Sequence, residues 1–277
     1  MNCWKGPFVG RLVFLNSERK EQKMKLLQNA ASAHNLAETV LSYEVLTPYP
    51  SAQNRDFWDH LPPELSSFLV SEGEQYLGFD WPTVLATTYM EFCRSGNREA
   101  NQIPSFGRRS VLGRLVAAEC IENKGRFLDD IVNGVWAICE ETTWAISAHI
   151  YISPNSNMLP DKNDPIIDLF AAETAGLLSF VYYLLKEKLD AVTPLVTKRI
   201  LQELQERTVL PYLQRDDYWW MGLSGKKVNN WDPWCNSNVL WTAILTCHDQ
   251  SPVSYTHLDV YKRQLSFPCC FFHSLLW

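Results

Sequence analysis

The stretch IIDLFAAETAGLLSFVYYLLKEKLDAVTPLVTKRILQEL, residues 166–204, decides the fold. Ile167, Phe170, Ala171, Leu178, Val181 and Leu185 recur at helical spacing and mark the inward face of one long helix. Thr193 is a helix-capping residue, and Pro194 stands at a first helical position, where its missing N–H costs nothing. A second helix therefore starts there, with Val196, Ile200 and Leu204 on its face. Two apolar-faced helices joined by a tight turn make a helical hairpin.

The same pattern extends outward. Residues 18–44 are charged, then rich in Ala and Leu, and are expected to be helical; residues 45–63 carry Pro48, Pro50, Pro62 and Pro63 and are expected to be loop. Pro82 opens a helix with Val84, Leu85, Thr88, Tyr89 and Phe92 on one face, and Gly96 ends it. Residues 110–122 and the set Phe127, Ile131, Val135, Ile138 and Cys139 give two more helices. Residues 153–165 are a polar, proline-marked loop, and the last helix is expected to begin near Asn236, capped by Asn236 or Ser237. No run has the pattern of a strand. Helix pairs without a short sequence repeat disfavour a strict solenoid and fit an all-α, incomplete (α/α) toroid of helical hairpins. In such a ring the inner helix ends and their loops form a cleft.

Composition narrows the function. A net charge of −6 and no basic stripe exclude nucleic acid as a partner. No apolar run is read as a membrane span, and FVGRLVFL at residues 8–15 is not read as a signal peptide, being short and interrupted by Arg11. The eight cysteines show no zinc-ligand spacing, so no metal or other cofactor is expected. Cys93, Cys120 and Cys139 fall in apolar helical segments and are read as small buried hydrophobes, which points to a reducing, cytoplasmic compartment. A misassigned start would instead leave secretion or the periplasm open. The 11 tryptophans supply flat apolar faces with a polar edge, the complement of a sugar ring.

Two segments concentrate polar chemistry. ICEETTWAISAHIYISPNSN, residues 138–157, brings Glu140, Glu141, Trp144 and His149 to a helix end and the loop after it. VNNWDPWCNSNVLW, residues 228–241, holds Asn229, Asn230, Asn236 and Asn238 among Trp231 and Trp234. Capping explains one or two of these asparagines. The others offer neutral amides that can hydrogen-bond a carboxylate.

EETTWAISAH followed by NNWDPWCNSNVL resembles the α-helical half of heparinase II/III-family proteins, with the similarity running from about residue 40 to residue 250. The resemblance implies an (α/α) toroid followed by a β-sandwich, and cleavage of uronic-acid polysaccharide of glycosaminoglycan or alginate type by β-elimination. It implies that Asn230, His149 and Asn236 belong to the catalytic set. Asn230, or its neighbours Asn229 and Asn236, would neutralise the sugar carboxylate. Trp144, Asn229, Trp231, Trp234, Asn238 and Glu141 would line the substrate subsites. The expected partner is an acidic polysaccharide or oligosaccharide. The family's catalytic Tyr lies beyond Gln250 in this pattern. There the helical period stops, and VSYTHLDVYKRQ, residues 253–264, resembles a translated library adapter. Residues 17–251 are thus expected to form a partial toroid domain. Residues 252–277 are expected to be a non-native tail, residues 1–16 are unassigned, and the chain is expected to be inactive as a lyase.

Two alternatives stand beside this reading. A glycoside hydrolase on the same architecture needs two opposed carboxylates, for which Glu140, Glu141, Asp168, Glu173, Asp217 and Asp232 are candidates. A noncatalytic module would bind acidic sugar without turnover.

Overall fold

The computed structural model describes residues 49–153, 157–222 and 227–246. The elements in chain order are α1 (Arg55–Trp58), α2 (Pro63–Glu74), α3 (Ala86–Ser95), α4 (Glu99–Glu122), α5 (Leu128–Cys139), a 3₁₀ helix (Ser147–Ile152) and α6 (Leu169–Val192). They continue with α7 (Pro194–Leu204), a π-turn (Gln205–Val209), α8 (Leu210–Gln214), a short 3₁₀ turn (Trp219–Met221) and α9 (Trp231–Thr246). Among the described residues the fold is all-α, and the only extended pairing is an isolated bridge between Asn157 and Leu159. The helix expected over residues 18–44, the segment 1–16 and the tail 252–277 lie outside the described residues.

The hairpin that decides the fold forms as expected. Thr193 Oγ1 accepts the backbone N–H of Leu195 at 3.4 Å, and Pro194 occupies the first turn of α7. Gly96 ends α3 in the left-handed region at φ 77°, where a residue without Cβ is unstrained. Three boundaries differ from the sequence reading. α3 begins at Ala86 rather than at Pro82, α4 begins at Glu99 rather than near residue 110, and α9 begins at Trp231 rather than near Asn236. Pro233 falls in the first turn of α9, where no N–H is required, so it does not delay the start. Residues 49–63 also depart from a plain loop, because α1 forms between the prolines.

α6 is the centre of the fold. α9 and α7 pack along it, and α4 and α5 complete the surround; α2 covers the outer side of α4. Ala171, Ala172, Ala175 and Gly176 give α6 a small-residue face, whereas Leu178, Val181, Leu185 and Leu189 fill the core. Counter to the sequence expectation, α6 is long and apolar enough to cross a membrane; 67% of its apolar window is buried inside the fold, as in a core helix. Buried ion pairing ties the helices at one end. Glu119, fully buried on α4, accepts from Lys188 Nζ of α6 at 2.6 Å and from the N–H of Gly125 at 2.9 Å. Cys120, Cys139 and Cys235 are buried, and burial pushes the Cys139 thiol up to about 12; Cys93 is exposed, contrary to its reading as a core residue.

α9 crosses α6 at Gly176. A Cβ added there would stand 2.4 Å from Oδ1 of Asn238, whose own amide is tied to the Trp234 carbonyl at 3.0 Å. Gly176→Ala is therefore expected to push the two helices apart and to cost about 1–3 kcal/mol, read as a lower urea midpoint with unchanged slope.

Candidate functional site: a histidine shelf beside the start of α6

The site is organised by Asp168. Its carboxyl caps α6, with Oδ1 accepting the Ala171 N–H at 2.7 Å. Oδ2 accepts the Ile146 N–H at 3.1 Å and lies 2.7 Å from Nδ1 of His149. Asp168 is fully buried, so these groups take the place of water around it. An ionised carboxylate only accepts, so Nδ1 of His149 carries the proton in this pair. In the neutral ring Nε2 then holds the lone pair and is the basic nitrogen. The His149 side chain is 12% exposed.

Aromatic rings extend from His149 on both sides. Trp231 lies 4.7 Å away by ring centroids, and Trp219 continues from Trp231 at 5.1 Å. Phe170 stacks toward His149 at 6.1 Å and on Phe106 at 4.6 Å. Tyr151 meets the imidazole edge-on at 6.3 Å and is 67% exposed. The half-buried Trp231 and Trp219 rings and the exposed Tyr151 form an aromatic shelf beside the imidazole of His149. Asn229 and Asn230, both exposed, immediately precede Trp231. Asn229 is committed to the backbone. Its Oδ1 accepts the Trp231 N–H at 2.9 Å, and Asp232 Oδ2 accepts the Asn229 N–H at 3.2 Å. This reciprocal cap starts α9.

The structure brings His149 and Trp231 together, and Asn229 and Asn230 directly precede Trp231 in the chain. The other site residues read from sequence sit in internal contacts. Asn236 donates to the Trp220 and Asp232 carbonyls at 3.1 and 2.8 Å and accepts from the Tyr212 hydroxyl at 3.0 Å. Asn238 packs against Gly176 as described above. Trp144 is buried, donates to the Ile138 carbonyl at 3.0 Å and lies 4.9 Å beneath the Arg207 guanidinium. Trp234 is half-buried on α9. Glu141 is buried between two arginines: Oε1 accepts from Arg108 at 2.9 Å, and Oε2 accepts from Arg109 at 2.7 Å. Asn236, Asn238, Trp144 and Glu141 therefore hold helices together, because their polar groups are turned to protein partners.

Sequence reasoning missed the role of Asp168 and the membership of Phe106, Phe170 and Trp219. The signal for Asp168 was present in part. An Asp directly before a long apolar helix is a cap, but its bond to His149 is a long-range contact with no spacing rule. Of the candidate carboxylates, the buried Glu141, Asp168 and Asp232 are held by protein donors. Glu140 lies 3.3 Å from Arg199, and Asp217 lies 2.8 Å from Arg215.

Among the described residues no group of three or more His, Cys, Asp or Glu side chains is arranged to hold a metal ion. Neither the models of known protein families nor the curated proteins match this chain.

Proposed function

We propose that the chain is part of an (α/α) toroid of heparinase II/III type, and that its histidine shelf is the acidic-sugar subsite of a β-eliminating polysaccharide lyase. The observation that carries the proposal is the His149 Nδ1–Asp168 contact of 2.7 Å beside the Trp231 ring. It leaves Nε2 as a base next to an aromatic face suited to a sugar ring.

In this reading a uronate ring stacks on Trp231. His149 Nε2 takes the C5 proton, the C5–H electron pair forms the C4=C5 double bond, and the C4–O bond breaks. The leaving oxygen takes a proton. The C5 proton is weakly acidic, so charge developing on the carboxylate needs a donor. Asn230, exposed and one residue from Trp231, is assigned as that donor. Asn229 remains in the helix cap. Asn236 leaves the catalytic set, since its amide is used inside the fold. The donor to the leaving oxygen is unassigned among the described residues, so binding rather than turnover is the direct readout.

A tetrameric oligouronate is expected to bind at least about tenfold more tightly than its carboxyl-reduced, neutral analogue, a difference of about 1.4 kcal/mol. Asn230→Ala is expected to remove most of that preference while leaving the melting temperature unchanged. Equal affinity for the charged and neutral oligomers would overturn the reading.

A further inference from the structure

Two buried carboxylates adjoin the shelf. Asp168 is fully buried at the start of α6, and Asp232, 6% exposed, lies in the first turn of α9 directly after Trp231. Both are held by neutral donors. Asp168 accepts the Ala171 and Ile146 N–H groups, and Asp232 accepts the Asn229 N–H. Among the described residues no lysine or arginine pairs with either carboxylate, and the ion-pairing partner of Asp168 is His149. Lys227, exposed ahead of Asn229, forms no ion pair among the described residues. Glu141 and Glu203, by contrast, are each held by two guanidiniums.

The two negative charges act on one corner of the fold. The Cys235 thiol, one turn into α9, is pushed well above its ordinary range, by burial first, then by Asp168 and Asp232. The Tyr89 hydroxyl of α3 is pushed far up by burial, then by Asp168 and the Cys93 thiol. The thiol of Cys235 and the phenol of Tyr89 therefore stay neutral. Around His149, α6 supplies Asp168, α9 supplies Asp232 and Cys235, α3 supplies Tyr89 and Cys93, and its own 3₁₀ helix supplies Tyr151. The Phe170 ring stacked toward the imidazole and the Phe106 ring of α4 beyond it are uncharged.

An acidic sugar on Trp231 adds a third negative charge to this corner while His149 is neutral, and like charges in a partly desolvated site oppose binding. One proton reverses the balance. Nδ1 already holds its proton against Asp168, so an added proton goes to Nε2. Nε2 has no hydrogen-bond partner among the described residues and is not sealed from solvent. The imidazolium then offers a charge-assisted N–H to an anion, and the buried carboxylates hold its charge.

We propose that the shelf binds an acidic sugar together with a proton, the ligand carboxylate pairing with Nε2–H of His149. The inference rests on the sugar-binding reading of the shelf and adds its regulation by pH. Linkage sets the sign. A ligand that prefers the protonated ring takes up protons on binding, and its affinity falls as pH rises through the imidazole range, roughly pH 5–8. Abstraction of the C5 proton needs the neutral ring, so affinity and turnover run in opposite directions with pH.

The test titrates a tetrameric oligouronate and its carboxyl-reduced analogue into the full chain by calorimetry, at about pH 6 and about pH 8. The oligouronate is expected to bind at least about fivefold more tightly at the lower pH, and the neutral oligomer equally at both. At about pH 7 the heat of oligouronate binding is expected to differ between buffers of low and high ionisation enthalpy, which counts the protons taken up. His149→Gln keeps an N–H for Asp168 and is expected to remove both the pH dependence and the uptake. Asp232→Asn keeps an acceptor for the Asn229 N–H and is expected to raise oligouronate affinity about threefold at the higher pH. Equal oligouronate affinity at both pH values, with no buffer dependence, overturns the proton linkage and leaves the acidic-sugar reading standing. An equal fall in affinity for the neutral oligomer also overturns it, since the proton would then act on the fold and not on the ligand's charge. No binding of either oligomer at either pH removes the sugar-binding reading and this inference with it.

Discussion

Glu141→Ala is expected to lower the free energy of unfolding by about 3–5 kcal/mol, the largest effect of any single change in the site region. The reason lies in what remains. Arg108 and Arg109 are adjacent on α4 and are nearly as buried as Glu141, with side chains 9% and 11% exposed. Their other donors are fixed: Arg108 reaches the Pro82 and Ala137 carbonyls, and Arg109 reaches Thr174 and the Ser105 carbonyl. Without the carboxylate, two guanidiniums stay buried with no counter-charge. Urea unfolding at neutral pH measures the loss. A decrease below about 1 kcal/mol would mean that the arginines escape to solvent and that the triad does not order the end of α5. Replacing all three residues with apolar ones of similar volume is expected to recover much of the stability, since a buried ion cluster mainly offsets its own desolvation.

Asp168→Ala is expected to cost roughly 3 kcal/mol, from the lost cap of α6 and two further unsatisfied donors. It carries a second readout that a purely structural cap would lack. With the carboxylate gone, Nδ1 of His149 loses its partner, and the Nε2-basic tautomer is no longer imposed. Imidazole ¹⁵N shifts are expected to move toward a tautomer mixture. Asp168→Asn keeps an acceptor for the Ala171 N–H and is expected to retain more than half of the lost stability. Unchanged imidazole shifts in Asp168→Ala would separate the cap from the histidine.

The hairpin from α6 to α7 was legible because its signals are local. A capping Thr, a Pro in the first helical turn and apolar residues at helical spacing act within a few residues of one another. The start of α9 was not legible, since Pro233 looks like a breaker unless the first turn is known to begin two residues earlier. The early turns of α4 were missed for a similar reason: Pro104 and the polar residues around it hide a helix that continues through them. Asn236 and Asn238 show a different limit. An amide donating to the carbonyl four residues back and an amide facing a ligand have the same sequence spacing. Only the neighbours from other elements, Tyr212 and Gly176, separate the two cases. The place of Glu141 at a helix end was legible, but its burial was not, because Arg108 and Arg109 lie more than thirty residues upstream. His149 and Trp231 both stand out in the sequence, and the aromatic contact between them is what the fold adds.

The central claim is that the shelf around His149 holds an acidic sugar against Trp231. Calorimetric titration of an oligouronate into the wild type, Trp231→Ala and Trp136→Ala tests it most directly. Trp136 is 42% exposed on α5 and stacks under Arg199, outside the shelf, so its loss controls for indole surface in general. The account predicts saturable binding that Trp231→Ala weakens about tenfold and Trp136→Ala leaves unchanged. Absence of binding, or equal affinity in Trp231→Ala and the wild type, would contradict it.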